Sequence, residues 1–156
     1  MHSYATPTHI VREIQPDVPV WCFRPERVTA SAKWFRESFS AEPFYAVKAN
    51  PGVHVLDALW AGGVHSFDCA SDTEVELIRT RFPEARIAFL HPVKNRRAIA
   101  RAYREFGVRI FVTDTMEELN KILEETGYAK DLTIIVRVAV SCDGAALPLA
   151  GKFGAS

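Results

Sequence analysis

Lys48, Asp68, His91, Asp114 and Arg137 are the side chains whose types and spacing could do chemistry in this chain. The first four stand where short apolar runs give way to turns. Lys48 closes Phe44-Tyr45-Ala46-Val47-Lys48, and Pro51-Gly52 then turns the chain away. A lysine desolvated at such a place becomes a neutral amine, a nucleophile that forms a Schiff base with an aldehyde. A carboxylate such as Asp68 near it would favour cationic forms. Arg137 interrupts the β-branched run Thr133-Ile134-Ile135-Val136-Arg137-Val138. A buried arginine needs an anion or several acceptors, because its charge cannot be removed. Plainer readings stand beside these. Lys48 could simply reach water, Asp68 could cap a helix, and Arg137 could close an internal salt bridge with Asp68 or another carboxylate.

The elements that must position these residues alternate. Strands are expected over 44–48, 64–68, 86–90, 108–113 and 132–140, with helices over 52–60, after Ser71 or Asp72, over 94–106 and after Asp114 or Thr115. Gly62-Gly63, Gly107 and Gly127 mark helix ends. No tight hairpin joins the strands, so the sheet should be parallel with right-handed crossovers. Upstream, Val28, Ala32, Phe35 and Phe39 recur at helical spacing over 26–39. Residues 19–23 read as a short strand, and 1–18 as a polar, proline-interrupted arm or linker. Residues 141–156 are small, glycine-rich and irregular and read as a loop. Phe44, Ala46 and Lys48 share one strand face, so the small Ala46 leaves room beside the lysine. In a closed barrel such strand ends converge on one mouth.

Composition narrows the field. The 156 residues are 48% hydrophobic and 24% charged, as in an ordinary globular domain. Lys+Arg and Asp+Glu both total 19, which argues against a nucleic-acid surface or a polybasic membrane patch. Cys22, Cys69 and Cys142 match neither zinc spacing nor a disulfide framework, and a reducing, cytoplasmic setting is the simpler expectation. No apolar run approaches membrane-spanning length. The G-x-G-x-x-G and P-loop signatures are missing.

The run Phe44-Tyr45-Ala46-Val47-Lys48-Ala49-Asn50 resembles the cofactor-lysine signature of the fold-type III pyridoxal-phosphate decarboxylases. These are the ornithine, lysine, arginine and diaminopimelate decarboxylases. Phe67-Asp68-Cys69-Ala70-Ser71 with Glu74 is similar to their second signature, and His91-Pro92-Val93-Lys94 to the segment after their third strand. Arg137-Val138-Ala139 and Leu149-Ala150-Gly151-Lys152-Phe153-Gly154 resemble the fifth strand and the loop beyond it. The motifs occur in family order over 19–156, with the bacterial ornithine/lysine branch nearest in character.

The resemblance implies a parallel (β/α) barrel of the alanine-racemase-like type, present here as about five β/α units. Residues 1–25 would form an arm with a short strand, and 26–156 the N-terminal part of the cofactor-binding barrel. Lys48 would form the internal aldimine with pyridoxal 5′-phosphate. Ala46, Asp68 and Arg137 would line the cofactor site, with Glu74 a weaker candidate. The activity implied is a lyase reaction, decarboxylation of ornithine or lysine to putrescine or cadaverine in polyamine biosynthesis. Lys152-Phe153-Gly154 would lie near the interface of a head-to-tail homodimer. The family's later strands, phosphate loop and β-rich domain have no counterpart here. The expectation is therefore an N-terminal segment, inactive until a second chain or a continuation completes it. A non-catalytic regulatory relative, and a racemase or pyridoxal-phosphate carrier on the same barrel, are the alternatives.

Overall fold

The structure, a computed structural model, describes residues 3–140 and 153–155. Five parallel strands lie side by side in chain order: β1 (Tyr45–Ala46), β2 (Ser66–Cys69), β3 (Arg86–Phe89), β4 (Ile110–Thr113) and β5 (Thr133–Val136). Helices α3 (Val53–Ala61), α4 (Asp72–Arg81), α5 (Arg96–Arg104) and α6 (Met116–Thr126) make the crossovers, and α2 (Pro25–Ser38) precedes β1. This is the parallel α/β arrangement expected, an open run of four β/α units and a fifth strand among the described residues.

Local chemistry sets the helix ends. Ser71 and Thr115 cap α4 and α6 by accepting from the backbone N–H groups of Glu74 and Glu118. Asn95 does the same for α5, so that helix starts later than its apolar pattern indicated. Helix α6 stops at Gly127, whose left-handed φ of 70° lets Gly127 and Tyr128 donate back to the last turn.

The core lies between the sheet and the helices. Phe67, Phe89 and Phe111 extend from one sheet face and pack with Val75, Ile78, Ile99 and Ile122, all fully or almost fully buried. Trp60 stacks on Phe82 with centroids 4.4 Å apart, and Phe82 lies 5.7 Å from Phe67 in nearly parallel planes. Those three rings tie α3, β2 and the end of α4 together. The opposite sheet face carries the row Ala46, Asp68, Ala88 and Ile110, in register across four strands.

Three expectations need correction. Residues 19–23 form no strand; Trp21 is 99% exposed and no described strand offers them a ladder. The arm contains a helix, α1 (Pro7–Ile14), capped by Thr6. Its Pro7 stands at the first helical position, where proline starts a helix rather than interrupting one. The strands are also shorter than their apolar runs. β1 is two residues long and passes into a 3-10 turn, Val47–Ala49, and β5 ends before Arg137. Cys142 and Lys152 lie outside the described residues, as does most of the 141–156 loop.

Candidate active site

The parallel strands deliver the chemically capable residues to one edge of the sheet. Ala46 is the last residue of β1 and stands opposite Asp68 of β2. Lys48 follows two residues later in the 3-10 turn. Its side chain is exposed, so the amine is accessible rather than desolvated as its strand-end position suggested. The small Ala46 and Ala88 flank Asp68 in its row and leave the sheet surface open beside it.

Asp68 is half-buried, and burial raises its carboxyl above the ordinary range. The Lys48 ammonium pulls it down, and Glu74 pushes it further up. Asp68 and Lys48 thus sense each other electrostatically without a recorded ion pair among the described residues. Glu74 is already engaged, accepting from the Ala70 N–H at 2.7 Å while its own N–H donates to Ser71 Oγ at 3.2 Å. Burial pushes the neighbouring Cys69 thiol up and keeps it a packed, protonated side chain.

Arg137 differs from the buried arginine expected. It is exposed and pairs with no carboxylate among the described residues. Its guanidinium lies over the Phe153 ring, 5.4 Å from the centroid. Its N–H donates to Thr113 O at 2.8 Å, which carries the β4–β5 ladder one residue beyond β5. Exposure follows from position, because β5 is an outer strand and Arg137 falls on the face of Thr133 and Ile135, away from the core side where Ile134 packs. Phe153 also meets the His91 ring edge-on at 6.0 Å, and Gly154 N–H donates to Asp114 Oδ2 at 3.0 Å. Residues 153–155 therefore return to the same edge and make a parallel bridge, Val138 to Ala155.

One feature of this edge escaped sequence reasoning. Lys94 has a fully buried side chain, paired with the 4%-exposed Glu118 at 2.9 Å. Lys94 Nζ also donates to the carbonyls of His91 and Val112 at 2.9 and 2.7 Å. Burial lowers the Lys94 pKa, opposed by Glu118. Burial pushes Glu118 the other way, but Lys121 and Lys94 outweigh it and hold the carboxyl low. The available signal was Thr115-Met116-Glu117-Glu118, a capping-box spacing, with nothing local to show that its carboxylate also reaches Lys94.

An accessible amine at a strand end, a carboxyl in the adjacent strand and small side chains around it fit the aldehyde end of a pyridoxal cofactor. The molecule is thus a parallel α/β protein that gathers a lysine, a half-buried carboxyl and small side chains at one edge of its sheet. Residues 26–156 match the family model described as pyridoxal-dependent decarboxylase, pyridoxal binding domain, and the chain belongs to that family. It is 39% identical over 123 residues to the ornithine decarboxylase of Caenorhabditis elegans, covering 78% of this chain and 28% of that protein. A solved lysine decarboxylase from Selenomonas ruminantium superposes with a TM-score of 0.78 at 27% identity, over 99% of this chain and 40% of that one. A lysine/ornithine decarboxylase from Vibrio vulnificus, solved with putrescine, gives a TM-score of 0.73 at 26% identity, over 94% and 37%. This chain thus spans little more than a quarter of the length of the curated relatives it matches. Pyridoxal phosphate is the cofactor that this domain family takes. No helix among the described residues is long and apolar enough to cross a membrane.

Proposed function

We propose that this chain supplies the cofactor-lysine part of a pyridoxal-phosphate-dependent decarboxylase of a basic amino acid, ornithine or lysine. The observation that carries this reading is the position of Lys48 two residues after Ala46, the strand residue that faces Asp68, within a chain of the pyridoxal-binding family. The cofactor, when bound, supplies the electron sink that makes loss of carbon dioxide feasible. In the net reaction the bond from the α-carbon to the carboxylate breaks, carbon dioxide leaves and a proton takes its place. Ornithine then yields putrescine and lysine yields cadaverine, which would place the protein in polyamine biosynthesis.

Each residue has a part in this reading. The Lys48 amine would hold the cofactor by condensing with its aldehyde, with loss of water. Ala46 leaves space beside it. Asp68 accepts from, and electrostatically favours, a cationic nitrogen at this edge, and such a cation opposes the burial that raises its carboxyl. Arg137 offers a permanent cation from the β5 side. Residues 26–156 form the cofactor-binding unit and 1–25 an arm. The working enzyme is a head-to-tail homodimer with Lys152-Phe153-Gly154 near its interface, completed by further barrel strands, and acts in the cytoplasm.

The test is borohydride reduction after addition of pyridoxal phosphate, read by intact mass, with Lys48→Ala as control. A cofactor-sized mass increase that disappears in Lys48→Ala supports the reading. An adduct that persists in Lys48→Ala, or none in either protein, overturns it.

A further inference from the structure

Lys94 and Glu118 take no part in the contacts proposed for the cofactor, yet their ammonium and carboxylate are almost completely buried at the same edge. One ammonium ties three elements together. It holds the carbonyl of His91, where the chain has just left β3; the carbonyl of Val112, near the end of β4; and the carboxylate of Glu118 in the first turn of α6. In α4 the equivalent carboxylate, Glu74, folds back toward the start of its own helix. Glu118 instead accepts from the Lys94 N–H at 3.1 Å and binds Lys121 at 2.5 Å. Burying an ion pair costs desolvation that apolar side chains of similar size would avoid, so stability alone does not call for it.

The clamp acts on His91. With its carbonyl held by Lys94, His91 accepts the Val93 N–H at Nδ1, 3.1 Å away, which leaves the neutral ring's proton on Nε2. The ring meets Phe153, and Phe153 in turn carries Arg137. A chain of contacts thus runs from the buried pair to the exposed arginine.

We propose that Lys94 and Glu118 are positioning residues that set His91 against Phe153 and so hold Arg137 at the cofactor edge. This rests on the cofactor reading above. Lys94→Met alone leaves a buried carboxylate short of a partner and risks unfolding the chain. Lys94→Met with Glu118→Gln removes both charges, keeps the volumes and preserves an acceptor for the Lys94 backbone.

In the full chain the double variant should melt cooperatively, while its His91 ring resonances lose the Phe153 ring-current shift. Its affinity for pyridoxal phosphate, followed by absorbance, should fall about tenfold, the size of one lost charge-assisted hydrogen bond. The Lys48 adduct should still form at saturating cofactor. Unchanged affinity, or unchanged His91 resonances, overturns the positioning role. Cofactor added to the wild-type chain should also move the His91 resonances, a check that needs no variant to fold, and a static signal overturns the role. A wild-type chain that takes up no cofactor overturns the cofactor reading and this role with it, a result distinct from equal binding by wild type and variant.

Discussion

Asp68 stands opposite Ala46 in the parallel β1–β2 pair, two residues before the chain presents Lys48. Burial favours the neutral form of this carboxyl, and the neighbouring ammonium favours the charged form. Burial wins, because Asp68 is half withdrawn from water whereas Lys48 is exposed and its charge is screened.

The pH dependence of stability follows from that balance. A carboxyl raised in the folded state keeps its proton at pH values where the unfolded chain has lost it. The stabilisation is complete below the ordinary carboxylate range and is lost as pH rises through the raised folded value. Asp68→Asn should therefore flatten the fall in stability between mild acid and neutrality. Urea denaturation midpoints measured across that interval check this, and an identical slope in wild type and variant would refute it.

The Lys94–Glu118 pair should behave asymmetrically. Lys94→Met leaves the buried Glu118 carboxylate with Lys121 as its one remaining ion-pair partner among the described residues, and should cost about 3 kcal/mol. The double change with Glu118→Gln should recover most of that loss, since no buried charge is left unpaired. A double-mutant cycle in urea measures the coupling. Glu118, held low in the folded state, contributes stability above the ordinary carboxylate range that is lost as pH falls through its depressed folded value. Glu118→Gln should accordingly blunt acid unfolding.

The stack of Trp60, Phe82 and Phe67 joins α3, α4 and β2. Phe82→Ala removes the middle ring from a site only 8% exposed. It should destabilise the protein by about 3 kcal/mol, transfer and cavity costs combined. Chemical denaturation checks the size, and loss of the Trp60 near-ultraviolet signal checks the place.

Gly154 has a φ of 129°, and a Cβ there would meet Ala139 N at 2.5 Å. Gly154→Ala should therefore detach residues 153–155 from β5 and Asp114, carrying Phe153 away from Arg137 and His91. The signature is loss of ring-current shifts on His91 with little change in the overall melting curve. Retained shifts would show that the segment tolerates the methyl.

Much of the architecture was legible because it is locally encoded. Ser71-Asp72-Thr73-Glu74 and Thr115-Met116-Glu117-Glu118 announce helix starts by their own hydrogen-bonding chemistry. Gly127 announces a stop, and apolar runs between such signals must be strands or helices. The 19–23 run looked like a strand for the same local reasons, but a strand exists only when another offers it a ladder, and none described does.

By itself, the sequence determined the alternation of strands and helices, and hence that Lys48, Asp68, His91 and Asp114 would leave a parallel sheet at one end. The order of its motifs also placed the chain among the pyridoxal-phosphate decarboxylases. Only the tertiary structure decided that Asp68 faces Ala46, that Arg137 is exposed over Phe153, and that Glu118 reaches beyond its own helix to Lys94. Register, exposure and buried pairing depend on contacts between residues far apart in the chain, and no local pattern of residue types encodes which distant surfaces will exclude water together.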